Sequence, residues 1–457
     1  MLRQDLPWRE PAELARKLHR QPGFVWLDSA DAAFHQGRYS YIAINPVSRF
    51  QWGCRDSAAD FAGAFRAWRN RFQTDVISGG APFQGGVIGY VSYEAARIWM
   101  RDFHSRHASS CDVFLEFSAY DTVLAFDHQG QSLSVYSAGL SGRGCQPDPL
   151  LARQNITQLV ASISENDAPY GICEGEEADW SISPQQADYT ESVSATRDAI
   201  LDGEIYQANI ATLWTRPSRS AEHAFNDYLG LRDKTQAGFS AFGAFSNRTI
   251  ACLSPERLVA MTSEGAVRAE PIKGTARRSS DPDEDQKAAD ALSASDKDRA
   301  ENIMIVDLLR NDLSRVCQPE SVHVSRLCRV EPLPNLFHLV STIEGKLSSD
   351  KDVVDLLGAV FPGGSITGAP KLRAMEIIDQ LEPAARGAFC GAFGYIGHDG
   401  ACDFNIMIRT IDHMPEGDRY WSGAGITLLS DAAAEWDEVR LKAERILGAA
   451  RAGVSEA

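Results

Sequence analysis

The sequence predicts an α+β protein, and two patterns carry this prediction. Over the first ~170 residues, short apolar runs alternate with glycine-rich turns, as β-strands do. Further along, apolar residues recur at steps of three and four, which is the spacing of helices packed on one face. The 457 residues, of which 44% are hydrophobic and 23% charged, are enough to bury a large core.

Four strands and one helix are predicted in the N-terminal part. Trp68 and Phe72 are four residues apart, so they share one face of a helix between the second and third strands. The four strand-like runs are residues 24–27, 39–44, 85–93 and 121–126.

A change in composition predicts a boundary between two regions. Residues 137–149 are rich in Gly, Ser and Pro, and residues 164–179 are polar and acidic. We therefore expect one region over residues 1–170 and a second over residues 183–453, joined near 165–183.

Three helices and two strands are predicted in the second region. The helix at 296–316 has apolar residues that step by three and four, which predicts one buried stripe. That stripe consists of Val306, Leu309, Leu313 and Val316. The other helices are expected at 188–201 and 431–450, and the strands at 391–397 and 404–410.

Charge and cysteine content exclude several classes of protein. Lys and Arg number 45 and Asp and Glu number 62, so the net charge of −17 argues against nucleic acid or an anionic membrane as partner. The nine cysteines include no C-x-x-C pair, which favours reduced thiols. The polar N-terminus has no signal-peptide pattern, and no run approaches the ~20 apolar residues of a membrane span. We expect a cytoplasmic protein.

The stretch around Lys273 has the most unusual chemistry. Residues 269–278 are expected to end a strand and enter a tight connection, because Pro271 fixes φ and Gly274 permits a turn. Lys273 lies between them, with two arginines just downstream. Burial and nearby cations lower the pKa of a lysine, which leaves more of it as a free amine that can attack carbon. The alternative is an ordinary lysine on a surface loop.

Acidic residues on two helices form a candidate cation site. Glu435, Glu438 and Lys442 are spaced to project from one face of the last helix. Glu301 lies off the buried stripe of its own helix. Two carboxylates can hold Mg²⁺ together with water and substrate oxygens. The alternative is a solvated helix face, and sequence alone does not show that Glu301 and Glu438 converge.

Eight segments resemble those of the chorismate-utilising enzymes, in family order over residues ~185–450. They are SPERL (254–258), PIKGT (271–275), ENIMIVDLLRNDL (301–313), FPGGSITGAPK (361–371), GYIG (394–397), IMIRT (406–410), SGAGI (422–426) and EWDEVRLKA (435–443). This resemblance implies an α+β fold in which two antiparallel β-sheets pack face to face, surrounded by helices, with the site in a cleft between them.

The resemblance also implies roles for individual residues. Glu301 and Glu438 are expected to bind Mg²⁺, with Glu435 in support, and Glu256 to act as general acid/base. Arg409 is expected to clamp the enolpyruvyl carboxylate, because a guanidinium binds a carboxylate through two hydrogen bonds. The further expected substrate contacts are the backbone at Gly423 and Gly425, and the side chains of Lys442, Tyr395, Gln207, Thr367 and His338. For His338, a buried structural histidine is the alternative.

The implied activity is amination of chorismate at C4. Gln207 stands where family members that make isochorismate have a lysine base, so Lys273 takes the nucleophilic role. Its amine attacks C2, ammonia then attacks C4, and the product is 4-amino-4-deoxychorismate, for 4-aminobenzoate and folate. Family members that make anthranilate have alanine at this position, and that activity is the nearest alternative. A non-catalytic relative that binds chorismate or a glutaminase is another.

Two further partners follow from the resemblance. The chain has no glycine-flanked cysteine typical of a glutaminase, so we expect a separate glutaminase subunit to supply ammonia. In relatives, N-terminal strands line a tryptophan pocket. The matching residues here are Ser29, Tyr39, Ser40, Phe239 and Ser240.

Overall fold

The computed structural model describes residues 1–29, 37–107, 112–142, 146–164, 180–332 and 336–448. Within these ranges the chain forms two antiparallel sheets of twelve and ten strands and a set of helices. Helices α1 to α11 span, in chain order, Pro11–Leu18, Phe61–Arg69, Ala96–Trp99, Pro149–Ser164, Gln186–Leu201, Ala221–Thr235, Pro282–Ala294, Asp296–Ser314, Val353–Val360, Lys371–Leu381 and Ala432–Leu447.

Strands β1 to β11 span Leu2–Leu6, Val25–Asp28, Tyr39–Ala43, Ser48–Gly53, Gly86–Val91, Val113–Tyr120, Thr122–Asp127, Ser132–Ser137, Ser181–Ser183, Gln207–Arg216 and Phe239–Ala244. Strands β12 to β22 span Thr249–Ser254, Arg257–Met261, Ala266–Ala269, Ile272–Arg277, His323–Pro332, Leu336–Lys346, Gly368–Ala369, Ala392–Gly397, Cys402–Ile406, Thr410–Met414 and Gly417–Ile426.

Both sheets combine strands from the two ends of the chain. The twelve-stranded sheet runs β1-β8-β7-β3-β2-β11-β12-β21-β22-β10-β18, with β9 paired to β10. The ten-stranded sheet runs β15-β17-β14-β13-β20-β19-β5-β6-β4, with β16 paired to β17. The N-terminal strands therefore join the later ones at β2–β11 in the first sheet and at β5–β19 in the second.

The two sheets pack face to face, as predicted. One buried cluster contains Tyr41 and Ile250 of the first sheet together with Ile88 and Phe393 of the second. A second cluster packs α1, α4, α6 and α11 on the outer face of the twelve-stranded sheet, and a third packs α2, α8 and α9 on the ten-stranded sheet. Each sheet thus has one face against its partner and one against helices.

Most of the predicted elements are confirmed within one to three residues at each end. Helix α8 buries the predicted stripe, and α5 and α11 lie where helices are expected. The proposed boundary at 165–183 falls largely on residues 165–179, outside the described residues. Helix α4 occupies the residues just before it, and that helix is absent from the sequence-based assignment.

Two predictions about strands are wrong. Strand β14 ends at Ala269, as expected, but Lys273 and Gly274 do not lie in a tight connection, because β15 runs through them and only its register shifts between Lys273 and Thr275. Residues 404–410 are not one strand either. Strand β20 ends at Ile406 in one sheet and β21 begins at Thr410 in the other.

Candidate active site

Two neighbouring chain segments cross between the sheets and carry the first two site residues. Strand β12 leads to β13 in the other sheet through Pro255 and Glu256, and β20 leads to β21 through residues 407–409. The two crossovers are hydrogen-bonded: Ile406 N donates to Glu256 O at 3.0 Å and Leu253 N donates to Arg409 O at 3.1 Å. Glu256 and Arg409 are therefore held beside each other.

Lys273 lies on the edge strand β15 and is partly buried. Its Nζ donates to Ser365 O at 3.2 Å and lies 3.9 Å from the position that a Cβ at Gly425 would occupy. Burial lowers the pKa of Lys273, and the nearby charge of Lys442 lowers it further. The carboxylates of Glu301, Glu256 and Glu438 act in the opposite direction, so all three lie within electrostatic reach of the amine.

Glu256 is buried, with 5% of its surface exposed. Its Oε1 accepts a hydrogen bond from Ser365 Oγ at 2.9 Å. Burial raises the pKa of Glu256, against the opposing effects of Ser365, Lys273 and Arg409. The result is a carboxyl group that holds its proton to a higher pH than an exposed glutamate does.

The three acidic residues predicted on the helices are placed differently from one another. Glu435 is buried and accepts from Ser430 Oγ at 2.7 Å, so it is not part of a solvated face. Glu438 is half exposed and pairs with Lys442 at 2.6 Å, and Lys442 also donates to Gly423 O at 2.9 Å. Burial raises the pKa of Glu438, but Lys442 holds it below its usual range.

The described residues contain no cluster of three or more His, Cys, Asp or Glu side chains ready to hold a metal ion. Glu301 and Glu438, however, approach Lys273 from α8 and α11 and both act on its amine. Mg²⁺ in enzymes is commonly held by one or two carboxylates, with substrate and water completing the shell. Glu301 on α8 and Glu438 on α11 offer two carboxylates of the kind that such an ion uses.

Gly423, Gly425 and Gln207 form the wall beside Lys273. A Cβ at Gly425 would lie 2.6 Å from Gln207 Nε2, and a Cβ at Gly423 would lie 2.6 Å from Asn209 Oδ1. No side chain fits at either glycine without displacing an amide. Thr367 is fully buried nearby, where its hydroxyl donates to Gly363 O and its carbonyl accepts from Asn209 N.

His338 is 4% exposed, and neither ring nitrogen has a hydrogen-bond partner among the described residues. Burial lowers the pKa of His338 to about 4, and the charge of Arg409 contributes. The imidazole is therefore neutral at physiological pH. Buried polar atoms without partners are uncommon, so this arrangement differs from that of a hydrogen-bonded structural histidine.

A separate cavity of about 210 Å³ contains most of the residues predicted to surround an amino acid. Ser29, Tyr39, Phe239 and Ser240 line it, while Ser40 supports it by accepting from Ser29 N. Tyr395 lines this same cavity and contacts the rings of Tyr41 and Phe83. The structure thus places Tyr395, which is expected to contact chorismate, in the wall of this cavity.

Sequence reasoning missed Ser365 and the group that holds it. Ser365 is part of a 3₁₀ turn at Gly364–Ile366, and Arg386 Nη1 donates to Ile366 O at 3.1 Å. Arg386 is buried and paired with Glu382 at 2.6 Å. The FPGGSITGAPK segment pointed to this turn, but it did not indicate which of its hydroxyls faces Glu256.

No helix in the described ranges is long and apolar enough to cross a membrane.

Comparison with known proteins places the chain in one family. Residues 23–448 match the family of chorismate binding enzymes. The chain is 39% identical over 370 residues to aminodeoxychorismate synthase component 1 of Klebsiella aerogenes, covering 80% of this chain and 77% of the relative. It is 34% identical over 442 residues to anthranilate synthase component 1 of Streptomyces coelicolor, covering 94% of this chain and 84% of the relative.

A solved structure gives the same result. Anthranilate synthase component I from Streptococcus pneumoniae superposes with a TM-score of 0.77 at 26% identity, covering 90% of this chain and 92% of that one. The matched residues include Glu256 and Arg409 on the two crossovers and Lys273 on β15. The chain therefore belongs to the family of chorismate binding enzymes.

Proposed function

We propose that this protein aminates chorismate at C4 to give 4-amino-4-deoxychorismate, on the route to 4-aminobenzoate and folate. The observation that carries the proposal is Lys273, a partly buried amine of lowered pKa connected through Ser365 to the carboxyl of Glu256. Relatives named aminodeoxychorismate synthase component 1 support the same reaction. Lys273 itself argues against anthranilate formation, for which the sequence resemblance implies alanine here.

Burial prepares the two groups for one step. The reaction needs Glu256 protonated and Lys273 neutral, which is the reverse of their usual states at neutral pH. Burial raises the pKa of Glu256 and lowers the pKa of Lys273, so the difference between the two pKa values becomes smaller. A narrower gap increases the fraction of molecules in the reactive form.

The chemistry balances as two substitutions. Lys273 Nζ forms a bond to C2, the ring double bond shifts, and the C4–O bond breaks as Glu256 gives its proton to the departing oxygen, which leaves as water. Ammonia then forms a bond to C4, the double bond returns, and the C2–N bond breaks. The proton that ammonia loses restores the Glu256 carboxyl, and the lysine, bound to C2 as a secondary ammonium since its attack, leaves directly as the neutral amine.

Arg409, His338 and the glycine backbone are proposed to hold the substrate. A guanidinium matches the two oxygens of the enolpyruvyl carboxylate. The neutral imidazole of His338 can donate or accept one hydrogen bond. Gly423 and Gly425 allow the substrate to approach the backbone of β22 closely.

Glu301 and Glu438 are proposed to hold Mg²⁺, with Glu435 in support. When bound, the ion would neutralise the ring carboxylate of chorismate among these acidic residues. Lys442 now pairs with Glu438, so it would have to share or release that carboxylate. We further propose that a glutaminase subunit supplies ammonia and that the cavity lined by Tyr39 and Phe239 accepts tryptophan.

The test is identification of the product and of the covalent intermediate. Purified protein with chorismate, Mg²⁺ and an ammonium salt at mildly alkaline pH should give a product that retains the enolpyruvyl group. Without ammonia, intact-protein mass spectrometry should show an adduct of chorismate less water, and peptide mapping should place it on Lys273.

A Lys273→Met variant keeps the aliphatic side chain and should lose the adduct and at least ~10³-fold in turnover. Lys287→Met, on the exposed face of α7, is the matched control and should behave as wild type. Release of pyruvate with anthranilate by the unaltered protein would reject the proposal.

A further inference from the structure

Ser365 is the one residue among those described that contacts both Glu256 and Lys273 through hydrogen bonds. Its hydroxyl donates to Glu256 Oε1 at 2.9 Å, and its backbone carbonyl accepts from Lys273 Nζ at 3.2 Å. The side chain of Ser365 thus contacts Glu256, the proposed acid, and its main chain contacts Lys273, the proposed nucleophile. Because these contacts come from different parts of the residue, a change of side chain can remove one and leave the other.

The turn that carries Ser365 is held from both sides. On one side, a Cβ at Gly364 would lie 2.4 Å from Leu308 Cδ2, so the backbone of the turn lies directly against α8. On the other side, buried Arg386 donates to Ile366 O at 3.1 Å. Ser365 itself is only 6% exposed. Its hydroxyl therefore has a fixed position from which to hold the carboxyl group.

The direction of the Ser365–Glu256 hydrogen bond determines what the carboxyl group can do. Oε1 accepts from the serine, and the carboxyl group also accepts a hydrogen bond from the backbone of Ile272. With Oε1 held as an acceptor by the hydroxyl, Oε2 is the oxygen that we assign to carry the proton. The charged groups that face Glu256 are Lys273 from β15 and Arg409 from the second crossover, and the Cys390 thiol lies nearby. Among the described residues, Ser365 is the side chain that hydrogen-bonds this carboxyl group, and the backbone of Ile272 is its other partner.

We propose that Ser365 is a positioning residue for the amination reaction: its hydroxyl aims Glu256 Oε2 at the departing C4 oxygen while its carbonyl aligns the Lys273 amine for attack at C2. This inference rests on the proposed function and gives a role to a residue of the FPGGSITGAPK segment that the sequence resemblance left without one. It requires a hydrogen bond that matters in the transition state more than in substrate binding.

The test compares Ser365→Ala and Ser365→Gly, which both remove the hydroxyl, with Ser365→Thr, which keeps it. We expect the first two to lower kcat about 10- to 100-fold, the range for losing a hydrogen bond to a charged group, with KM for chorismate within about twofold of wild type. The threonine variant should recover most of the loss. Ser192→Ala removes another buried serine hydroxyl, on α5, and is the matched control.

A pH profile separates positioning from a purely structural effect. Ser365 lowers the pKa of Glu256, whereas burial raises it. Loss of the serine hydroxyl should therefore raise the pKa of Glu256 and move the acid-side limb of the kcat profile to higher pH. An unmoved limb, or a higher KM with unchanged kcat, would overturn the proposal. If the wild-type protein forms anthranilate instead, the proposed function fails. The comparison of Ser365 variants then still tests whether Ser365 positions Glu256, because the same C4 oxygen must depart in that reaction.

Discussion

Arg409 combines a strained backbone with a partly buried charge. Its φ of 52° lies in the left-handed region, which costs a non-glycine residue about 1 kcal/mol or more. Hydrogen bonds on both sides maintain it, from Leu253 N to Arg409 O and from Ile408 N to Ile406 O. Burial lowers the pKa of Arg409, which shows that its guanidinium is poorly hydrated. A poorly hydrated cation held in one place is suited to bind a carboxylate.

Replacing Arg409 with glutamine should therefore weaken binding more than chemistry. We expect KM for chorismate to rise about 10- to 100-fold, with a smaller change in kcat, because one bidentate contact is lost. The pKa of His338 should rise above about 4, since the charge of Arg409 contributes to lowering it. Steady-state kinetics and NMR titration of His338 measure the two effects.

The control for Arg409→Gln is Arg440→Gln, an arginine of α11 that pairs at the surface with Glu444. A large fall in kcat with unchanged KM in the Arg409 variant would contradict the clamp. The sequence could predict Arg409 as a site residue from its motif. It could not predict the left-handed φ, because one of the hydrogen bonds that maintain this conformation comes from Leu253, which lies in another strand far earlier in the chain.

At the level of elements, the active site depends on where strands end. The apolar run 404–410 has the composition of a single strand, and periodicity gave no reason to divide it. The structure divides it because each half completes a different sheet, β20 beside β13 and β21 beside β12. The three residues between them are thereby placed at the site. This is a tertiary effect that overrides local strand propensity.

Strand β22 contributes its glycines rather than side chains. A methyl group at Gly425 would lie 2.6 Å from Gln207 Nε2 and 3.9 Å from Lys273 Nζ. Gly425→Ala should therefore displace Gln207, disturb the nucleophile and lower kcat about tenfold or more, while the protein stays folded. Measuring kcat together with the thermal unfolding midpoint tests this.

Gly63→Ala is the matched control for Gly425→Ala. Gly63 lies within α2, and nothing surrounds the position of its added Cβ. That variant should keep full activity and gain up to about 1 kcal/mol of stability from helix propensity. If Gly425→Ala were equally harmless, the close packing around Lys273 would not matter for catalysis.

For the whole molecule, the predicted division into residues 1–170 and 183–453 describes sequence composition better than architecture. Both sheets continue across it, through β2–β11 and β5–β19. Composition could suggest the polar connection, but it contains no information on which strands pair. For the same reason, the sequence supplied Lys273, Glu301 and Glu438 as separate candidates. Only the packing of α8 and α11 on the sheets places both carboxylates within electrostatic reach of the lysine.

His398 joins the two parts of the chain and makes stability depend on pH. It is buried at the end of β19 and hydrogen-bonds through Nδ1 to Phe72 O. Burial lowers the pKa of His398 from 6.5 to about 4. In the unfolded chain His398 is protonated as the pH falls below about 6.5, whereas in the folded protein it stays neutral until about pH 4. The folded state therefore loses stability as the pH falls from about 6.5 to about 4.

The variant His398→Asn should reduce this loss. Between pH 7 and pH 5 the wild-type protein should lose about 2 kcal/mol more free energy of unfolding than the variant, as the shift in pKa implies. Urea unfolding at the two pH values measures the difference. His323→Asn, at an exposed imidazole on β16, is the control and should match wild type. Equal losses in all three proteins would show that His398 does not set the acid sensitivity.

The paired crossovers also have a mechanical consequence. Glu256 and Arg409 each lie on a short crossover between the two sheets, and hydrogen bonds join the two crossovers. A movement of one sheet relative to the other must therefore displace both crossovers together. The spacing between the two sheets and the positions of Glu256 and Arg409 are therefore linked. Side chains such as Tyr41 and Phe393 fill the space between the two sheets. Their sizes therefore help to set the distance between the sheets, and with it the positions of Glu256 and Arg409.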